Sequence, residues 1–219
     1  MKKNFTDTDT SKLYVSGCLH LNHNPKWDTP LWKMRGYNSA DEMTDDIIDT
    51  INIVCNKSDK LLVLGDFCLN TNLIQFNEFI KRIEPEIWMV RGNHNSPWEN
   101  AYKEWSLREH GHYANHVKWG EVTYLGNYVQ LKWNKRSFVC NHYPFAIWDG
   151  SHNGVMSIHS HNHGSYAPSL PDSLDTGKQL DCGWDVHKKP LSFEEIMEIM
   201  NKKQISISDH HTSDVNGGF

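Results

Sequence analysis

Apolar and polar positions change their period several times along the chain. Lys12 to Cys18 forms a short apolar run closed by Gly17-Cys18, the length of a buried strand. From there to about Tyr37, Trp, Pro, Asn and Lys alternate without a period, which predicts a long loop. Ser39-Ala-Asp-Glu42 reads as a capping box, and Met43, Ile47, Ile48, Ile51 and Val54 fall on one face at helical spacing, so a helix is expected over about 40–55. Lys60 to Leu64 is a second strand-length run, stopped by Gly65-Asp66. Thr71 can then cap a helix whose Leu73, Phe76, Ile80 and Ile83 share a face. Glu86 to Val90 makes a third run, closed by Arg91-Gly92.

Strand, helix, strand, helix, strand in this order predicts an α/β unit with a partly parallel sheet. The second half is richer in strands. Val122 to Leu125 and Tyr128 to Trp133 flank Gly126-Asn127 as an expected hairpin, followed by runs at Ser137 to Cys140 and Val155 to Ile158. Two packed sheets are the expected result. Ser192 with Glu195 forms another capping box, from which Ile196, Met197, Ile199 and Met200 can pack back onto the sheets. The fold class expected is therefore α/β, a sandwich of two mixed sheets flanked by helices. One domain over residues 1–219 is expected, with its core at about 12–203 and a polar tail from about 206.

Composition narrows the classes. With 22 basic and 27 acidic residues the net charge is −5, which disfavours strong binding of duplex nucleic acid. Five cysteines, odd in number and set within apolar runs, do not form a secreted disulfide framework. The first residues lack the apolar run of a signal peptide, and no stretch of about 18 apolar residues could cross a bilayer. A soluble cytoplasmic protein is expected. Histidine is the compositional outlier at 14 residues, and imidazole is the commonest metal ligand.

Five polar clusters each follow a predicted strand: Cys18-Leu-His20, Gly65-Asp66, Gly92-Asn93-His94, Asn141-His142 and His161-Asn-His163. Open α/β sheets form their sites at the strand ends, and every cluster contains a residue type that binds divalent metal. One such cluster says little, because a histidine beside a strand is usually structural; five in succession point to a metal site. The series resembles the calcineurin-like metallophosphoesterase family, whose motifs run Asp-x-His, Gly-Asp, Gly-Asn-His-Asp/Glu, His and Gly-His-x-His. The resemblance extends over residues 12 to about 200. It is closest to small bacterial and phage members, with Cys18-Leu-His20-Leu-Asn-His23 in place of Asp-Thr-His-Phe-Gly-His and with the ending Asp181-Cys-Gly-Trp-Asp185-Val and Pro190-Leu-Ser-Phe-Glu-Glu195.

That resemblance implies a dinuclear metal-dependent phosphoesterase with its site at the C-terminal strand ends. Cys18, His20 and His163 would hold one ion, Asn93, His142 and His161 the second, and Asp66 would bridge them. Manganese, iron or zinc ions are implied. A hydroxide bridging cations about 3.5–4 Å apart would attack phosphorus, and His94 would protonate the leaving oxygen as general acid. The implied substrate is a phosphomonoester or phosphodiester of a small, nucleotide-like molecule. A nuclease or end-processing phosphatase, or a degenerate member that binds without turnover, stays open as an alternative.

The chain departs from the family pattern at three places. Cys18 stands where the family has aspartate; it is either a thiolate ligand that favours zinc or iron, or a small buried residue beside a weak first site. A thiol next to a dication should deprotonate readily. Asn95 replaces an acid that would orient His94, and Ser160 replaces a common glycine as tolerated loop variation. Residues 22–37 interleave Trp27, Trp32 and Tyr37 with Lys26, Lys33 and Arg35, either as a nucleotide-recognising lid with Arg35 on phosphate or as aromatics packed on the sheet. His23 can approach the substrate phosphate or bond within the loop, and Trp148 to Asn153 can form another wall of the pocket. His152 and His187 lie near site loops without marks of ligands, and the adjacent His210 and His211 are expected to be solvated.

Overall fold

The computed structural model describes residues 2–5, 12–26, 29–94, 98–115, 117–166 and 176–205. The strands are β1 (Lys2–Phe5), β2 (Leu13–Ser16), β3 (Lys60–Leu64), β4 (Glu86–Val90), β5 (Val117–Trp119), β6 (Val122–Gly126), β7 (Tyr128–Trp133), β8 (Arg136–Asn141), β9 (Met156–His159), β10 (Gln179–Asp181) and β11 (Leu191–Ser192). The helices are α1 (Leu31–Met34), α2 (Ala40–Val54), α3 (Leu73–Arg82), α4 (Trp98–His110), α5 (Trp184–His187) and α6 (Phe193–Met200). Trp27, Asn95, the tail from Ser206 and the pair His210-His211 lie outside the described residues.

Two mixed sheets form, as expected. One has the order β11-β2-β3-β4-β6-β5, with β2, β3, β4 and β6 mutually parallel; the other has the order β1-β7-β8-β9-β10, with β8, β9 and β10 parallel. In β3 the side chains alternate between two apolar surroundings. Leu61 and Val63 join a core with Met43, Ile47, Ile51, Phe76 and Ile80 of the helices, whereas Leu62 and Leu64 join Val129, Leu131, Phe138, Cys140 and Ile158 of the opposite sheet. Both faces of β3 are buried, which is why its sequence is an uninterrupted apolar run instead of an alternation.

Helix α2 begins where the sequence places it. Ser39 Oγ accepts from Glu42 N at 3.0 Å, but Glu42 reaches back to Asn38 N at 2.7 Å and not to the cap residue, so the expected box is half formed. At α3 the cap is Asn72 and not Thr71: Asn72 and Gln75 close a full capping box, while the Thr71 hydroxyl donates to Leu69 O. Of the residues expected on its buried face, Phe76, Ile80 and Ile83 are buried and Leu73 is 37% exposed. Helix α6 carries the predicted Ser192–Glu195 box.

The expected hairpin at Gly126-Asn127 is not there. β6 pairs with β4 and β5, β7 pairs with β8 and β1, and Asn127 carries the chain from one sheet to the other. The actual hairpin joins β7 to β8 through Asn134 and Lys135, both at positive φ (42° and 67°), the signature of a type I′ turn. Among the described residues no helix is long and apolar enough to cross a membrane.

Candidate metal centre

Three adjacent parallel strands in each sheet set the site. β2, β3 and β4 end at Cys18-His20, Asp66 and Asn93-His94; β8, β9 and β10 end at His142, His161-His163 and Asp185. Bonds tie these loops together within one sheet and across the sandwich. Cys18 N donates to Gly65 O at 3.1 Å, His20 N to Asp66 O at 3.0 Å, Trp184 N to Gly17 O at 2.8 Å, and His161 N to Cys18 Sγ at 3.1 Å. Gly92 is required for the approach, because a Cβ there would stand 2.1 Å from Asp66 Oδ1.

All seven expected ligands converge. The ligating atoms of Cys18, His20 and His163 lie within 4.8 Å of one another, as do those of Cys18, Asp66 and His142. Asn93 Oδ1 is 2.8 Å, His161 Nδ1 3.1 Å and Asp66 Oδ2 3.3 Å from His142 Nε2. His142 Nδ1 donates to Leu64 O at 2.8 Å, so in the neutral ring Nε2 offers a lone pair toward those atoms. His163 Nδ1 donates to Asp185 Oδ2 at 2.5 Å, which likewise leaves its Nε2 as an acceptor. His20 is 4% exposed and both its nitrogens lack a hydrogen-bond partner among the described residues, with Asp66 Oδ2 3.7 Å away. Orphaned buried nitrogens cost about 1–3 kcal/mol each. Oxygen, nitrogen and sulfur atoms gathered this closely can share a cation, so the donor set suits metal.

The backbone agrees. Cys18, His20, Asp66, His161 and His163 all sit at positive φ, between 49° and 64°. Non-glycine residues held there cost about 1–3 kcal/mol each and collect where function demands it.

Electrostatics divide the set. Burial lowers His20 well below the ordinary imidazole range, against the pull of Asp66, and burial with His142 alongside lowers His161, so both rings are neutral near pH 7. Burial alone would raise Asp66; the neighbouring His142 and His20 rings and the His94 backbone N–H hold it below the ordinary carboxylate range. Cys18 goes the other way. Burial, with Asp66 adding to it, pushes the thiol up to about 12, against the His161 N–H and the Ser160 hydroxyl. A thiolate there requires a cation beside it.

His94 lies at the edge of the cluster. Its N–H donates to Asp66 Oδ1 at 2.8 Å, while its ring is exposed 5.7 Å from that of His20. His23 Nδ1 accepts from Leu31 N at 2.9 Å, an internal bond that turns Nε2 into a donor.

Arg35 is a correction. Its side chain is 2% exposed and all five guanidinium donors are used internally: the fork to Asp185 at 2.8 and 2.6 Å, Leu19 O and Cys18 O at 2.8 Å each, and Met43 Sδ at 3.6 Å. It anchors the loop of Cys18 and Leu19 and has no donor left for phosphate. Trp32 and Tyr37 pack against the helix-side core, Tyr37 with its hydroxyl on Asp46. The sequence thus missed Asp185, which joins Arg35 to His163; the Asp181-Cys-Gly-Trp-Asp185 ending was the signal. It also undervalued Ser160, which is fully buried, donates to Leu64 O at 2.6 Å and touches His142 Nδ1 at 3.1 Å. Trp148 is buried with its Nε1 on Val155 O, and His187 Nε2 bonds Asp181 O, so neither faces the site.

A sequence model of the calcineurin-like phosphoesterases matches residues 11–215. The chain belongs to the calcineurin-like phosphoesterase family. The family consists of metal-dependent hydrolases of phosphoesters, which accords with the donor set at the strand ends. The fold is also that of a crystal structure of a protein of unknown function from Aquifex aeolicus, with a TM-score of 0.55 at 17% identity over 86% of this chain and 99% of that one. No curated protein matches the sequence.

Proposed function

We propose that this calcineurin-like phosphoesterase hydrolyses small-molecule phosphoesters with two metal ions. Cys18, His20 and His163 would hold the first, Asn93, His142 and His161 the second, and Asp66 would serve both. The observation that carries this reading is the convergence of seven metal-binding side chains, five of them on left-handed backbone. Cations bound there lower the pKa of water and neutralise charge on phosphoryl oxygens. The chain's own groups do the remainder. Asp185 fixes the His163 ring, and Leu64 O fixes that of His142. His94, exposed at the edge of the cluster, gives its ring proton to the leaving oxygen. No protein nucleophile is needed.

The test is His94→Ala in the manganese-, zinc- or iron-loaded protein. Metal content should stay at the unsubstituted level, while turnover of alkyl phosphoesters falls about 10²- to 10⁴-fold. With 4-nitrophenyl esters, whose leaving group needs no proton, the loss should be small. Loss of metal would make His94 a ligand, and absence of turnover with every metal and ester would refute the enzyme.

A further inference from the structure

Among the described residues of the loop at 22–37, the aromatics Trp32 and Tyr37 pack against the helix-side core. An aromatic recognition face exists on the other side of the site. A cavity of about 480 Å³ is lined by the candidate ligands Asn93 and His142 and, beyond them, by Arg91, Tyr128, Tyr143 and Phe145. That volume suits a small ligand and would hold a nucleoside.

Its walls are specific in chemistry. The Tyr143 ring lies 4.4 Å from that of His161 and 4.9 Å from that of His142, so an aromatic surface begins directly at the second metal position, and the residue is 48% exposed. Tyr128 is 37% exposed with its ring 6.2 Å from Phe145. Arg91, its Nε on Glu99 at 2.6 Å, keeps a side chain 46% exposed. Asn141 also lines the cavity, and its buried Oδ1 has no hydrogen-bond partner among the described residues. Open aromatic faces beside a guanidinium and an amide make a slot for a flat heterocycle with polar edges; a sugar or alkyl phosphate would leave those rings wet.

We infer that this cavity seats the base of a nucleotide whose phosphate lies at Asp66 and His142, which makes the substrate a small nucleotide phosphoester. The inference rests on the phosphoesterase reading above. Tyr128, Tyr143 and Phe145 are specificity residues, and discrimination comes from the β7 side of the site.

Two substrate pairs test it on the full chain with manganese: adenosine 5′-monophosphate against ribose 5-phosphate, and thymidine 5′-(4-nitrophenyl phosphate) against methyl 4-nitrophenyl phosphate. Within the pair that turns over, the base should raise kcat/KM about tenfold or more, the size of one base stacked on one aromatic face. Tyr128→Ala should bring the ratio below about threefold, whereas a folding defect lowers both members and leaves the ratio in place. A ratio near one in the unsubstituted protein overturns the inference. So does a ratio kept in both Tyr128→Ala and Phe145→Ala, or an oligothymidylate cleaved faster than the thymidine ester. If nothing turns over, the phosphoesterase reading fails by itself. Equilibrium binding of the adenosine and ribose phosphates to the same proteins then decides: preference for adenosine that Tyr128→Ala removes supports the slot, and equal binding overturns it.

Discussion

At the residue scale, the positions that sequence reveals are those whose chemistry is local. Cys18, His20, Asp66, Asn93, His142, His161 and His163 each follow a strand end, so order along the chain translates directly into place at the sheet edge. Asp185 and Arg35 were not legible in this way, because the fork joining them spans 150 residues and only the fold brings them together. Their roles yield a prediction. Asp185→Asn removes the charge that compensates a guanidinium 2% exposed and turns one of the two oxygens that hold Arg35 and His163 into a donor. A broken buried pair costs about 3–5 kcal/mol, and loss of a ligand's hydrogen-bonding partner about 10- to 100-fold in metal affinity. Urea unfolding and metal titration should show both losses; intact metal affinity would mean that His163 is oriented by other contacts. Cys18 permits a sharper comparison. Cys18→Asp is tolerated by a backbone at φ 50°, where aspartate is more at ease than most residues. It should shift metal preference from zinc or iron toward manganese or magnesium. Elemental analysis after exposure to mixed metals reads the outcome, and an unchanged profile would leave Cys18 a buried thiol outside the coordination.

At the element scale, periodicity located the buried strands β3 and β4 and the helices α2 and α6, since each has an aliphatic run or a capping residue of its own. It misplaced the hairpin because Gly126-Asn127 is a stronger turn signal than Asn134-Lys135, and the glycine's positive φ serves a passage between sheets instead. Helix α4 escaped notice for a different reason. Its buried positions are Trp98, Tyr102 and Ser106, an aromatic and hydroxyl stripe in which Tyr102 bonds Ala114 O and Ser106 bonds His112 O, so the face carries little aliphatic signal. The start of α6 gives the prediction at this scale. Ser192→Ala removes the acceptor for Glu195 N and should cost about 1 kcal/mol. Glu195 is lowered although burial alone would raise it, because Lys189 and the Ser192 N–H bond its carboxylate. A depressed folded pKa contributes stability above the unfolded value near 4.3, about that of free glutamate, and loses it as pH falls through the folded one. Urea midpoints measured from pH 6 to pH 3 should therefore fall less steeply in Glu195→Gln than in the parent; identical slopes would show that the box carries no linkage.

At the scale of the whole molecule, the site is the place where the two sheets are fastened, and its strain is borne by both. Ser160 bonds Leu64 O, His161 N bonds Cys18 Sγ and Trp184 N bonds Gly17 O, so loops of one sheet hold loops of the other around buried lone pairs. Costs collect there: two buried His20 nitrogens without a hydrogen-bond partner among the described residues, three polar side chains crowded around His142 Nε2, and five left-handed residues. A cation held there would satisfy these donors, so binding should appear as global stability. At a free metal concentration of about 100 times Kd, one site adds roughly 2.7 kcal/mol. For a chain of this size that raises Tm by about 5–11 °C. Chelator-treated protein titrated with manganese and with zinc should show this rise in calorimetry, and Asp66→Asn, which removes the carboxylate between the two ligand groups, should abolish most of it. A Tm that stays constant across the titration would mean that these groups meet without holding a metal, and the strained loops would then need another cause.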